Sequence, residues 1–193
     1  MFDYLIEGGL IIDGSGRKPF SGDVGIVGDR IEGLGRLEGA QARNVVRAAG
    51  LAVSPGFIDI HSHHDLYVID QDPIERFEFF VRQGVTTCVV GNCGWSAAPC
   101  VPERKHMLLD LIRSMGAPVE NLSWSTMEEY FAYLEGRSLL CNLAQLVGHG
   151  AVRIAVMGGE NRFCTADESK RMQDMVRQSL SAGCIGLSSG LMY

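Results

Sequence analysis

The chain has 193 residues, 46% hydrophobic and 21% charged, with a net charge of −6 and a pI near 5.3. That length suits one substantial core and a smaller second one. The acidic balance, with no Lys/Arg-rich run, excludes a protein that grips nucleic acid through its phosphates, which needs a basic face to displace counterions. No apolar run approaches the roughly 20 residues that span a bilayer, so no membrane association is expected. The opening "MFDYLIEGGLIIDG" has no basic start and carries Asp3 and Glu7, so it does not read as a secretory signal. A soluble cytoplasmic protein is the expectation.

Residues 1–55 read as short strands separated by glycine turns: "DYLIEGG", "LIIDGSG", "GDVGIVGDRIEGLG" and "NVVRAAGLAVSPG". Val24 and Ile26 alternate, Ile31 and Leu34 follow a "GD" turn, and no window has helical periodicity. The segment is expected to be a small antiparallel sheet or β-sandwich.

From Gly56 the pattern changes. "FIDI" is a short apolar strand, and "DPIERFEFFVRQG" places Ile74, Phe77, Phe80 and Val81 at helical spacing with Gly84 as its C-terminal cap. "VTTCVVG" is β-branched and apolar throughout, as a strand covered on both faces should be. Two helices follow, around "ERKHMLLDLIRSMG" and "STMEEYFAYLEG", the second with Ser125 and Glu128 spaced as a capping box. "LLCNLAQLVG" is a third strand. In "TADESKRMQDMVRQSLSAG", Thr165 and Glu168 form a capping box, Met172, Met175, Val176 and Leu180 make one stripe, and Gly183 ends the helix. "CIGLSSG" starts a fourth strand.

Four alternations of strand and helix predict an α/β unit with a parallel sheet, either open and doubly wound or a barrel. A barrel needs eight strands and about 250 residues, so residues 56–193, which stop directly after a strand, would supply about half of one.

The chemistry gathers at strand ends. In "PGFIDIHSHHD", alternation puts Asp59, His61 and His63 on one face and His64 on the other, where it reads as structural. Taken alone, a His-x-His is as well read as a solvated turn or a helix cap. Its place at the carboxyl end of a buried strand, where parallel α/β proteins bind ligands, favours a metal site. Two histidines hold a metal loosely, and catalytic zinc usually has three protein ligands. Of the six cysteines (Cys88, Cys93, Cys100, Cys141, Cys164 and Cys184), none forms a CxxC pair, and most read as reduced packing residues. Cys93, in "GNCG" at the end of the second strand, is a small buried hydrophobe or a metal thiolate. His149, in "VGHGAVR", binds metal or substrate or caps the following loop. "MGGENR", residues 157–162, reads as a turn, with a phosphate cradle as the weaker alternative.

"PGFIDIHSHHD", "VVGNCGWSAAP", "GHGAVRIAVMG" and "GLSSGLMY", in that order, resemble the amidohydrolase superfamily and most closely its D-aminoacylase (N-acyl-D-amino-acid deacylase) branch. The resemblance runs over essentially the whole chain and implies a fold: a small β-sandwich segment at 1–55 and, at 56–193, the first half of a metal-dependent (β/α)8 TIM-type barrel. It implies His61, His63 and Cys93 as ligands of one or two Zn2+ ions. Many superfamily members use a carboxylated lysine on strand four, whereas here the nearest lysine is Lys170 on the preceding helix. Family substrate contacts make His149, Ser189 and Tyr193 candidates for the acyl or carboxylate pocket. Two further histidine ligands and the general-base aspartate are expected beyond Tyr193. The implied reaction is hydrolysis of an N-acyl-D-amino acid to a carboxylate and a D-amino acid. The 193 residues alone are expected to be inactive and to self-associate. The alternatives are a cyclic-amide hydrolase of the dihydroorotase or hydantoinase kind, which calls for the strand-four lysine, and a non-catalytic scaffold.

Overall fold

The alternation along the first strands produces a sheet arranged around one long strand. In the computed structural model, which describes residues 1–69, 73–117 and 119–190, β1 (Phe2–Ile11) pairs antiparallel with β2 (Phe20–Val27), and β2 with β3 (Arg30–Gly35). The β2–β3 turn falls on the "GD" signal, with Val27 opposite Arg30. There the Asp3 carboxylate accepts the Gly28 N–H at 2.8 Å. β4 (Ala42–Arg47) and β5 (Ala52–Val53) then join β1 in parallel.

The antiparallel pairing expected for this segment holds only in part: its described strands form one five-stranded mixed sheet. β3 already runs in the direction of β1, and β4 starts level with the start of β1, Ala42 opposite Phe2. Residues 36–41 therefore carry the chain back before it pairs. Asp23 fastens that return, accepting N–H groups from Leu37 at 2.9 Å and Gly8 at 2.8 Å, and these bonds lower its pKa. The sheet belongs to a compact unit of its own, Met1–Gly56.

The second unit, Phe57–Tyr193, contains four parallel strands in the order β6 (Phe57–Asp59), β7 (Val85–Val90), β8 (Asn142–Gly148) and β9 (Gly186–Ser188). Parallel neighbours need crossover connections, and helices supply them. α1 (Pro73–Arg82) joins β6 to β7. α2 (Lys105–Ser114) and α3 (Met127–Glu135) lie between β7 and β8, and α4 (His149–Met157) and α5 (Ala166–Ala182) between β8 and β9. No helix among the described residues is long and apolar enough to cross a membrane.

The core of this unit collects Leu66, Val68, Phe77, Trp124, Tyr130, Val147 and Val152, all at most 2% exposed. Its large polar-tipped rings find partners, as buried Tyr and Trp usually do. Trp124 Nε1 donates to Ala97 O at 2.8 Å and the Tyr130 hydroxyl to Asp65 O at 2.9 Å. Burial pushes the Cys88 and Cys100 thiols up to about 11 and Cys184 to about 12. Protonated and enclosed, these are packing residues; Cys164 is exposed instead.

Three local differences from the sequence reading have physical causes. The capping box of α3 is Thr126 with Glu129, one residue later than Ser125 with Glu128. That phase buries Met127, Tyr130 and Leu134 together. α4 was not read as a helix, because "AVRIAVM" has almost no polar face: Ala151, Val152, Ala155, Val156 and Met157 are all buried. Leu180, expected in the buried stripe of α5, is 42% exposed, while Met172, Met175 and Val176 pack against the core. Phe77 is buried as expected on α1; the side chain of Ile74 lies outside the described residues.

The "MGGENR" stretch is a turn. Arg162 is taken by two carboxylates, Glu160 Oε2 at 2.5 Å and Glu168 Oε1 at 2.6 Å, and Arg153 ties down the carbonyls of Glu160 and Arg162. Glu168 also closes the α5 capping box, accepting the Thr165 N–H at 2.8 Å. Arg162 and that N–H hold its carboxyl down from 4.5 to about 2.

A depressed folded pKa stabilises above the unfolded value and is lost as pH falls through the folded one. Glu168→Gln should therefore unfold at a lower temperature than the wild type at neutral pH, with the gap closing as pH drops from about 4.5 toward 2. Circular dichroism melts check this, and a gap independent of pH would show that the carboxylate is not its source. Thr165→Ala, which removes the other half of the box, should cost about 1 kcal/mol.

Candidate metal centre

β6 ends at Asp59, four residues earlier than an alternating strand carrying both histidines would require. The chain bends instead, and Asp59 Oδ1 accepts the His61 N–H at 3.1 Å. Asp59 thus orients the bend and is not one of the converging donors. Ser62 fastens the bend to β7 by donating its N–H to Val89 O at 3.1 Å. The short 3-10 turn His64–Leu66 follows. His61 and His63 consequently meet through the bend and not through the pleat, their rings edge-to-face at 5.9 Å. His64 goes the other way, as expected, into a box of Phe80 (4.2 Å), Phe77 (5.0 Å) and Tyr67 (6.2 Å).

The loop after β7 supplies the third donor. Gly91 has φ +77° and lies so close to β8 that a Cβ would sit 2.1 Å from Leu146 O. Cys93, at φ +56°, is the one non-glycine residue with positive φ among the described residues. Such a conformation costs on the order of 1–3 kcal/mol and persists only when its surroundings over-determine it. Here they do. The Asn92 amide, 8% exposed, donates to Ser62 O at 3.1 Å and Val89 O at 2.9 Å, joining this loop to the residue between the two histidines. Gly94 O accepts the Gly150 N–H at 2.8 Å from the first turn of α4. Its N–H donates to Ser188 Oγ at 3.0 Å, at the end of β9.

The outcome is a cluster. Cys93 Sγ lies 3.2 Å from His61 Nε2, and one donor atom each of His61, His63 and Cys93 falls within 4.8 Å of the others. Burial first, and the neighbouring His61 second, lower the pKa of His63. Its neutral form is therefore favoured, which is the form that binds metal. His63 Nδ1 is also buried without a hydrogen-bond partner. Zinc takes imidazole nitrogen and thiolate sulfur at about 2.0–2.3 Å, so donors this close need only small side-chain rotations to share one ion. The donor set and the orphaned nitrogen fit such a metal.

Beneath the cluster lies a polar pair that the sequence reading missed. Asp65 is fully buried, and its Oδ2 accepts from Gln145 Nε2 at 3.3 Å; Gln145 is 3% exposed and also donates to Leu146 O at 2.7 Å. Burial pushes the Asp65 carboxyl up to about 7, against the opposing pull of Gln145 and nearby backbone amides. Asn92 and Ser188 were missed as well. No periodicity marks them, because each acts through a carbonyl or amide that only the fold brings near.

The remaining expected residues do not join the cluster. His149 is exposed and opens α4 at the carboxyl end of β8. Ser189 is exposed just after β9, its backbone beside Gly94, and Tyr193 lies outside the described residues. Lys170 is exposed on α5.

No family model matches the chain. It is 37% identical over 192 residues to the D-aminoacylase of Alcaligenes xylosoxydans xylosoxydans, an alignment covering 100% of this chain and 38% of that protein. A crystal structure of D-aminoacylase superposes with a TM-score of 0.86 at 38% identity, covering 100% of this chain and 39% of the other. The N-acyl-D-glutamate deacylase of Bordetella bronchiseptica, solved with zinc and a phosphonate mimic of its tetrahedral intermediate, gives 0.85 at 39% identity over 100% and 39%. The chain thus spans somewhat over a third of the length of the relatives it matches. Along its whole length it matches the amino-terminal part of these D-aminoacylases and N-acyl-D-amino-acid deacylases.

Proposed function

We propose that the protein is a zinc-dependent hydrolase that cleaves the amide bond of N-acyl-D-amino acids to a carboxylate and a D-amino acid. The observation that carries this reading is the convergence of His61, His63 and Cys93 at the carboxyl ends of two adjacent parallel strands. The matched relatives, a D-aminoacylase and a zinc-bound N-acyl-D-glutamate deacylase, support the substrate class. We take β6 to β9 as the first half of a (β/α)8 barrel, and residues 1–55 as the strands of its small β-sandwich.

His61 and His63 hold one or two Zn2+ ions as neutral imidazoles, and Cys93 as a thiolate, since a coordinating thiol is deprotonated outright. The ion, when bound, polarises the scissile carbonyl and acidifies water at neutral pH. The proteins' own residues here position and do not transfer protons: Asn92 and Asp59 fix the two loops, and the enclosed side of His63 keeps it uncharged. The general base, by family likeness an aspartate, belongs further along than residue 193. His149, Ser189 and Tyr193 remain the candidates for substrate contacts. A reducing cytoplasmic location suits a thiolate ligand, which an oxidising compartment would consume. The cyclic-amide reading is disfavoured, because β9 and the described residues after it, "GLSSG", offer no lysine to carboxylate. Cys93 stands as the ligand that serves in its place.

Elemental analysis should find stoichiometric zinc, and Cys93→Ala should lower it. Unchanged zinc in that variant would reduce Cys93 to a packing residue, and no zinc in the wild type would favour the scaffold. The 193 residues alone should not turn over N-acetyl-D-methionine; chelator-sensitive release of methionine would reverse that expectation. Phe57 and Ile58 on β6, Ile60 just after it, Ile185 just before β9 and Leu187 on β9 are 52–75% exposed. Apolar strand edges of this kind invite pairing, so light scattering should show self-association of these residues alone, and a stable monomer would count against it.

A further inference from the structure

We propose that Ser188 is a positioning residue of the metal centre, its hydroxyl bracing the turn that aims Cys93 at His61. The inference rests on the ligand role of Cys93 proposed above.

Cys93 and Gly94, both at positive φ, are the central residues of a turn that the Trp95 N–H closes by donating to Asn92 O at 2.9 Å. The Ser188 hydroxyl braces this turn from outside, accepting the Gly94 N–H at 3.0 Å and donating its own proton to Gly91 O. A hydroxyl has one proton and free lone pairs, so a single side chain bonds the backbone on both sides of Asn92 and Cys93. Asn92 is separately pinned to Ser62 and Val89.

Ser188 can do this only because the turn folds over the end of β8, since β9 does not neighbour β7. Gly148 is opposite Ser188 in the β8–β9 ladder, and a Cβ at Gly148 would lie 2.6 Å from Gly94 O. The bare backbone at Gly148 lets the turn cross β8 and reach the serine. Ser189, the neighbour singled out by family likeness, makes no comparable bond among the described residues, and it is Ser188 that faces the turn. The last strand of the sheet thus contributes to the metal centre without contributing a ligand. Groups that orient metal ligands commonly change metal affinity about 10–100-fold when removed.

The test measures zinc affinity by competition with a chromophoric chelator, and the thiolate-to-metal charge-transfer absorption of the cobalt-substituted protein. Ser188→Ala should weaken zinc binding by about 10–100-fold and diminish the thiolate band per bound cobalt. Ser188→Thr, which keeps the hydroxyl, should restore both. Wild-type affinity and an undiminished band in S188A would overturn the positioning role, as would a threonine variant as impaired as the alanine one. If S188A does not fold, S188T decides by itself, since loss of affinity despite a retained hydroxyl overturns the proposal. A wild-type cobalt protein without any thiolate band fails differently: it removes Cys93 as a ligand, and the role of Ser188 with it.

Discussion

The candidate site depends on one backbone conformation. A cysteine on a regular strand points its thiol into the sheet or into the helices that cover it. Cys88, three residues before the loop, does so and is fully buried, its thiol pushed up to about 11. Cys93 escapes that fate because the chain turns left-handed at it, and its sulfur is carried to within 3.2 Å of a histidine on the neighbouring strand's loop. Two cysteines of one segment therefore differ in chemistry by their φ angle and by the solvation that follows from it.

Holding that conformation calls on every strand of the sheet. β6 gives the bend whose carbonyl at Ser62 receives Asn92; β7 ends in the turn itself; β8 offers Leu146 and Gly148 as a surface close enough to press against; β9 brings Ser188. The buried Asp65 and Gln145 fill the space under this crossing with polar groups, where an apolar pair would leave the Leu146 carbonyl without its bond from Gln145. A carboxyl held near neutrality by burial loses less by enclosure than a permanently ionised one, because desolvation penalises only the charged form. That is the condition under which an aspartate can serve as a structural hydrogen-bonding group inside a core.

Much of this was legible in the sequence, and the illegible part has a consistent cause. The pairing of His61 and His63 could be read from their spacing and the α5 cap from Thr165 and Glu168, whereas the residues alone leave Cys93 between packing and ligation and only the family resemblance singles it out. Periodicity failed where it carried no contrast. α4 buries five apolar residues and has almost no polar face, so it shows little contrast. The first unit was read as antiparallel because alternation reveals which face a residue occupies but not the direction of the strand beside it. The HSH segment was assigned to a strand for a related reason. Side chains two apart share a face on a strand, yet a bend fixed by Asp59 achieved the same convergence by another route.

Long-range polar partners were the least legible. Asn92 and Ser188 bond to backbone atoms 30 and 94 or 97 residues away, and Gln145 to the Asp65 carboxylate 80 residues away; nothing local distinguishes them from solvated loop residues. What does constrain them is the ladder register. Val90 opposite Gln145 and Gly148 opposite Ser188 fix how far each strand end projects, and a slip of one residue would turn the serine to the other face of the sheet. The alternation within each apolar strand sets which face enters the core, and the core in turn sets the register. The candidate donors are thus positioned by hydrophobic burial in strands that carry none of them, which is why a cluster of three polar side chains requires a folded sheet of four strands to exist.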